Sequence, residues 1–123
     1  MRTVVGIGIA GCLGALARYG LDGLVSRRAS AFPWGTFVVN VSGAFLLGFV
    51  VTVLGERVAV GSWLRATVAI GFLGAYTTFS TLSLETYRLV ETRSYALAGA
   101  NALGSVAAGL VAVYDGVVLG RAL

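Results

Sequence analysis

Residues 71–85 read GFLGAYTTFSTLSLE, an apolar segment that turns into a run of hydroxyl side chains. Gly74 is a residue type that commonly ends a helix. The five hydroxyls after it belong to Thr77, Thr78, Ser80, Thr81 and Ser83. Ser and Thr favour the N-cap of a new helix over a helix interior, because their oxygens accept hydrogen bonds from free backbone N–H groups. The segment therefore predicts a broken helix, the alternative being a continuous helix whose hydroxyls bond to its own carbonyls.

The chain around this segment is too apolar for an ordinary soluble domain. Of its 123 residues, 58% are hydrophobic and 11% are charged, and its mean hydropathy is +0.91. Typical soluble domains carry about 25% charged residues. A small soluble domain exposes much of its surface to water, which so few charges cannot cover. Lipid is therefore the expected solvent.

Four apolar stretches lie between short clusters of charge, at residues 4–25, 34–54, 63–84 (extending towards 90) and 95–119. Each has the roughly 20 residues that a helix needs to cross about 30 Å of hydrocarbon. We therefore expect one all-α integral membrane domain over residues 1–123, with its third helix broken near the middle. Carbonyls freed by such a break are candidate cation ligands, as in transporters with unwound helices.

Gly6, Gly8 and Gly11 form a G-x-G-x-x-G motif inside the first stretch. A phosphate-binding loop needs a preceding strand and an acidic residue about twenty positions on, within a soluble βαβ unit. An apolar span does not provide that context, and Gly11 with Ala15 instead fits the small-residue spacing of packed membrane helices. Residues 15–17 also imitate a secretory cleavage site, but the chain beyond them is equally apolar, so we expect no cleavage.

The charged residues exclude several classes of function. Nine Arg and five acidic residues give a net charge of +4 without Lys or His, and they are too dispersed to form a patch for nucleic acid. The single cysteine, Cys12, lies in an apolar run. Zinc chemistry and a histidine-based catalytic triad are therefore excluded, and we expect no enzyme.

Arginines are balanced between the two ends of the predicted bundle. One end holds Arg2, Arg57, Arg65 and Arg121, and the other holds Arg27, Arg28, Arg88 and Arg93. An excess of Arg and Lys on one side normally fixes the orientation of a membrane protein. We therefore expect insertion in both orientations. A single orientation settled by Arg18, which lies near the end of the first span, is the alternative.

A few polar side chains lie inside the spans. Asn40 is about 10 Å deep at 1.5 Å per residue, and its amide either clasps a neighbouring helix or donates to a passing anion. In the fourth span, Asn101, Ser105 and Gly109 recur every four residues and form either a pore wall or a packing seam. Arg18, Glu85 and Asp115 lie towards span ends, where charged groups are expected to reach the hydrated interface.

Three segments carry a family resemblance: GALARYG (14–20), PWGTFVVNVSGAFLLG (33–48) and GFLGAYTTFSTLSLE (71–85). They resemble the signature regions of the Fluc fluoride channels, also called CrcB, and the resemblance covers nearly the whole chain. It implies a dual-topology antiparallel homodimer in the bacterial plasma membrane that exports fluoride passively through two pores and so lowers fluoride toxicity. It also implies one structural Na⁺ at the dimer axis.

The resemblance further implies roles for individual residues. The carbonyls of Gly74 and Thr77 would bind the Na⁺. The fluoride pathway would comprise Asn40, Phe79, Thr78, Ser80, Thr81, Ser105 and Arg18. Leu82 stands where the family usually has a second phenylalanine. Either Phe79 suffices, or a second homologous subunit supplies the missing ring, or the chain dimerises without conducting.

Two other functions remain as alternatives. A small multidrug-type exporter driven by protons is also a four-span dual-topology dimer, but it needs a glutamate deep in its first span. The acidic residue near that span here is Asp22, which lies at its end. A non-conducting subunit of a larger membrane complex is the second alternative.

Overall fold

The computed structural model describes residues 1–28 and 30–123. Its helices are α1 (Arg2–Val25), α2 (Trp34–Thr52), α3 (Ser62–Ala66), α4 (Gly74–Tyr76), α5 (Phe79–Glu91) and α6 (Tyr95–Ala122). Two π-helical segments with wider turns extend this pattern: Val53–Arg57 continues α2, and Thr67–Leu73 joins α3 to α4. The predicted all-α architecture is confirmed.

Four helical segments are long and apolar enough to cross a membrane. They are Arg2–Val25, Trp34–Arg57, Ser62–Glu91 and Tyr95–Ala122. Each contains most or all of one apolar stretch of the sequence and extends beyond it at one end or both. Large apolar side chains such as Leu16, Leu103 and Leu110 are exposed on the outside of the bundle. Exposed apolar surface on this scale indicates contact with lipid, and the chain is a multi-pass membrane protein.

Glycines bring α2 and α6 into close contact. A Cβ atom added at Gly48 would overlap the Val113 carbonyl, and one added at Gly116 would overlap the Phe45 carbonyl. Gly120 is equally confined, because an added Cβ would lie 2.9 Å from Cβ of Thr52. Small residues let membrane helices pack backbone against backbone, so these glycines fix the separation of α2 and α6.

Small residues also bring α1 close to the third span, most tightly at Gly14. A Cβ added at Gly14 would overlap the Phe72 carbonyl, whereas one added at Gly11 would lie an ordinary 3.7 Å from the Gly71 carbonyl oxygen. Ala15 lines a cavity. Gly11, which the sequence predicts to lie at a helix contact, thus touches the third span at ordinary distance, and Gly14, three residues later on the same face, makes the closer approach.

The third span changes conformation at Thr77 and Thr78, which we call the interruption. Thr77 has φ −83° and ψ 157°, and Thr78 has φ −149° and ψ 116°, so both residues are extended. The Thr78 side chain then accepts a hydrogen bond from the backbone N–H of Thr81 at 3.3 Å. Thr78 is therefore the N-cap of α5, the role that Thr commonly plays.

Candidate functional site

An open groove with a volume of about 410 Å³ lies beside the interruption. Its wall is mostly apolar and includes Leu82, Val106 and Leu110. Six of the residues singled out by the sequence also line it: Asn40, Gly74, Thr77, Thr78, Phe79 and Ser105. The fold thus brings together, from the second, third and fourth spans, residues up to 65 positions apart in sequence. A few polar groups on an apolar surface are typical of a site that binds a small ligand.

Asn40 pairs with the backbone of the interruption. Its Nδ2 donates to the Thr78 carbonyl at 3.0 Å, and its Oδ1 accepts from the Thr78 N–H at 2.8 Å. The side-chain amide therefore clasps the third span, which is one of the two roles that the sequence leaves open for it. An amide nitrogen carries two N–H donors, so the second N–H of Nδ2 can still serve an acceptor in the groove.

This pairing changes the hydrogen bonding of α4. In an uninterrupted helix the Thr78 N–H would bond to the Gly74 carbonyl, four residues earlier. Here that N–H bonds to Asn40. The carbonyl of Gly74 has lost its helical donor, and the extended Thr77 carries its own carbonyl outside the helical ladder.

Phe79 presents an aromatic ring to the groove. It is the first residue of α5, and its side chain is 80% exposed. The edge of an aromatic ring is electropositive, so an exposed ring can contact an anion without a formal charge. Leu82, one turn later, adds an apolar side chain to the same wall.

A second cavity of about 240 Å³ lies on the other side of Thr78. Arg18, Asp22 and Thr36 line it together with Thr78 and Thr81. Arg18 is thus separate from the groove, but Thr78 lines both spaces. The two spaces are neighbours, and a polar residue stands between them.

The Thr78 hydroxyl lies within hydrogen-bond distance of two other hydroxyls. The Thr78 hydroxyl donates to Oγ1 of Thr81 at 3.1 Å, and its oxygen lies 3.4 Å from Oγ of Ser80. Thr81 faces the second cavity, whereas Ser80 is exposed. The three hydroxyls form a short polar path along the first turn of α5.

Glu85 forms a hydrogen bond to the first turn of α2. Its Oε1 accepts a hydrogen bond from the Thr36 hydroxyl at 2.8 Å. Its Oε2 is buried and has no hydrogen-bond partner among the described residues. The two residues are 49 positions apart, so the sequence alone does not indicate this pairing.

The polar line on α6 has two parts. Asn101 is fully buried, at 0% exposure, and its Nδ2 donates to the Thr86 hydroxyl at 3.0 Å. Ser105 and Gly109, one and two turns later, line the groove. The Ser105 oxygen is buried and has no partner within the part of the chain that the structure describes. The line is therefore a packing contact at Asn101 and a groove wall at Ser105.

The fold and the site define a class. The chain is a multi-pass membrane protein whose polar groups converge on extended backbone beside a groove, an arrangement that membrane proteins tolerate where backbone lines a cavity or binds ions. Residues 5–117 match the family described as CrcB-like protein, Camphor Resistance (CrcB). The chain belongs to the CrcB family, as its three motifs predicted.

Relatives of the same length carry a functional name. The chain is 44% identical over 124 residues to the "Fluoride-specific ion channel FluC" of Geobacter sulfurreducens, covering 100% of both chains. It is 44% identical over 122 residues to the protein of that name from Nitratidesulfovibrio vulgaris, covering 98% of each. The protein of that name from Solibacter usitatus is 45% identical over 116 residues, 94% of this chain and 95% of its own.

Proposed function

We propose that this chain is a fluoride-selective channel that lets F⁻ leave the cytoplasm passively and so lowers its toxicity. The groove is the observation that carries the proposal. Asn40, Phe79 and Ser105 offer it an N–H group, a ring edge and a hydroxyl, all of which are weak donors. A channel must bind its ion well enough to admit it and weakly enough to release it. Neutral and weak donors on a narrow apolar wall suit that requirement better than a fixed cation would.

Passive flow is sufficient for export. Fluoride enters a cell as neutral HF from acidic surroundings and is trapped as the anion at the higher pH of the cytoplasm. An inside-negative potential drives the anion outward with about 2.3 kcal/mol per 100 mV for each charge. The proposed channel therefore needs neither ATP nor a coupled ion, and its place is the plasma membrane of a bacterium.

Growth in fluoride tests the export function. Bacteria that lack their own fluoride export should grow in fluoride-containing medium at acidic pH when they express this chain, and their internal fluoride should fall. An empty vector and a matched chloride medium are the controls. If the chain reaches the membrane but neither growth nor internal fluoride changes, the proposed function is wrong.

We propose further that two copies assemble antiparallel and cover the groove. In a single chain the groove opens outward, with Phe79 largely exposed and Asn40 and Ser105 in its wall. Polar groups at membrane depth face protein or water and not lipid. A second copy in the opposite orientation would place two grooves face to face and form two equivalent pathways. A second homologous subunit remains the alternative. Leu82 stands where the family usually has a second phenylalanine, so Phe79 is left without that second ring and a different subunit would supply it.

Dual insertion follows from the arginine balance. A reporter fused to the C-terminus should be found on both sides of the membrane in comparable amounts. Replacing Arg27 and Arg28 by serine leaves two arginines at that end against four at the other, and should shift the population towards one orientation. Detection of the unaltered chain on one side alone, at normal expression, would contradict the proposed assembly.

We also propose that a structural Na⁺ lies at the dimer axis, held by the Gly74 and Thr77 carbonyls of both copies. The donor set fits the ion: both carbonyls are hard oxygen ligands outside the helical ladder, and the Gly74 carbonyl has lost its N–H donor to Asn40. Within residues 1–28 and 30–123, no group of three or more His, Cys, Asp or Glu side chains could hold a metal. A bound cation would compensate the carbonyl dipoles that the two copies bring together.

A further inference from the structure

Three neighbouring residues of α2, Asn40, Ser42 and Gly43, contact residues 76–78 around the interruption. Asn40 holds its C-terminal side through two hydrogen bonds to the Thr78 peptide group. Because Oδ1 takes the Thr78 N–H, this side chain competes directly with the Gly74 carbonyl for the same donor. The state in which the Gly74 carbonyl is free is therefore the state in which Asn40 is bonded.

Ser42 holds the N-terminal side. Its Oγ lies 2.8 Å from the hydroxyl oxygen of Tyr76, the last residue of α4, which is only 6% exposed. The Ser42 hydroxyl has one proton and donates it to the Val39 carbonyl at 3.1 Å. The Tyr76 hydroxyl must then be the donor to Ser42, so a buried tyrosine is tied to α2 by a defined hydrogen bond.

Gly43 allows the two residues of α2 to reach their targets. A Cβ added at Gly43 would overlap the Thr77 methyl group and would lie 3.0 Å from the Tyr76 ring. Only a glycine lets the extended Thr77 lie directly against α2. Positions 40, 42 and 43 thus form one surface that meets residues 76–78, and we call it the α2 bracket.

We infer that the α2 bracket is the positioning element of the proposed cation site, so that Asn40 couples the fluoride groove to cation binding. This inference rests on the proposed Na⁺ site. Asn40 offers no ligand to the cation and acts through the backbone, because its bonds keep Thr78 extended and the Gly74 carbonyl free. Without them, the Thr78 N–H can return to Gly74, and the helix can close across the interruption at the expense of a ligand.

The test measures cation binding without fluoride flow. The purified dimer is melted in detergent at constant ionic strength while Na⁺ replaces N-methylglucamine, a cation too large for such a site. The Na⁺ concentration that gives half of the thermal shift is compared for the unaltered chain, Asn40→Leu, Asn40→Asp and Tyr76→Phe. Fluoride efflux from liposomes is measured separately on the same preparations.

Each variant removes a defined part of the bracket. Asn40→Leu loses both bonds to Thr78 and should raise the half-effect concentration about tenfold or more, as expected for two buried hydrogen bonds. Asn40→Asp can still accept the Thr78 N–H and should keep the Na⁺ response. Tyr76→Phe loses the Ser42 bond and should raise the concentration about threefold. Ser105→Ala, in the α6 wall of the groove, should leave the Na⁺ response unchanged and reduce efflux.

The outcomes separate this inference from the proposed function. If the unaltered dimer responds to Na⁺ and a folded Asn40→Leu responds equally well, the inference is overturned while the cation site stands. If Asn40→Leu does not fold, the response of Tyr76→Phe decides. If the unaltered dimer does not respond to Na⁺, this inference and the cation site both fail, and the efflux measurement shows whether the channel function survives.

Discussion

Replacing Phe79 by isoleucine is expected to abolish fluoride efflux and to leave the dimer assembled. Phe79 is the first residue of α5, is 80% exposed and lines the groove. Loss of its ring therefore disturbs little packing within the chain. Isoleucine retains apolar bulk but has no electropositive ring edge. A fluoride ion that has shed part of its water would then have no partner between the donors of Asn40 and Ser105.

The measurement is fluoride efflux from liposomes, with dimer assembly checked by chromatography. Tyr87→Ile is the matched control, because Tyr87 is another exposed aromatic of α5, at 59% exposure, and is not among the residues that line the groove. Leu82→Phe should leave efflux unchanged or raise it. Normal conduction by an assembled Phe79→Ile dimer would mean that the ion travels along another face.

Gly116→Val is expected to prevent recovery of a folded channel. The first side-chain carbon would overlap the Phe45 carbonyl and lie 2.9 Å from the Phe49 backbone nitrogen, so α2 and α6 would have to separate. Overpacking costs about 1–3 kcal/mol and occasionally more, and a backbone obstacle cannot move aside as a side chain can. The expected effect is therefore at the upper end of that range.

Gly99→Val on the same helix is the matched control, since a Cβ added there would meet no described atom within 4 Å. Both variants are extracted in detergent and compared for the yield of monodisperse dimer and for the melting temperature. Gly99→Val should behave like the unaltered chain. Equal yields and equal melting temperatures for the two variants would contradict the close packing of α2 on α6.

Much of the fold could be predicted from the sequence because hydropathy acts locally. Each of the four apolar stretches forms a helical segment long enough to cross a membrane. About twenty consecutive apolar residues favour lipid however the helices are arranged around one another. The side of a helix that packs closely depends on where its partner crosses, which the sequence does not contain. That is why the sequence did not distinguish Gly14, where α1 approaches the third span most closely, from Gly11, which makes an ordinary contact.

A site residue could be predicted from the sequence where its own chemistry is unusual for an apolar span. It could not be predicted where its role depends on a partner distant in sequence. Asn40 and Ser105 were evident as polar groups within apolar spans, the family resemblance implied Phe79, and the groove brings the three together. Two hydrogen-bonded pairs were not predicted, Glu85 with Thr36 and Ser42 with Tyr76. Each member of these pairs has an ordinary interpretation by itself. Hydrogen bonds between residues more than thirty positions apart become visible only in the folded chain.

Fluoride efflux from liposomes that contain only this purified chain tests the central claim most directly. The vesicles are loaded with potassium fluoride, and a potassium ionophore lets K⁺ leave with the anion so that no opposing potential builds up. External fluoride is followed with an electrode. A parallel set of vesicles is loaded with potassium chloride. We predict rapid release of fluoride and retention of chloride. Dimers of this chain alone should suffice, without a second, different subunit. Retention of fluoride by vesicles that hold correctly assembled dimer would contradict the account.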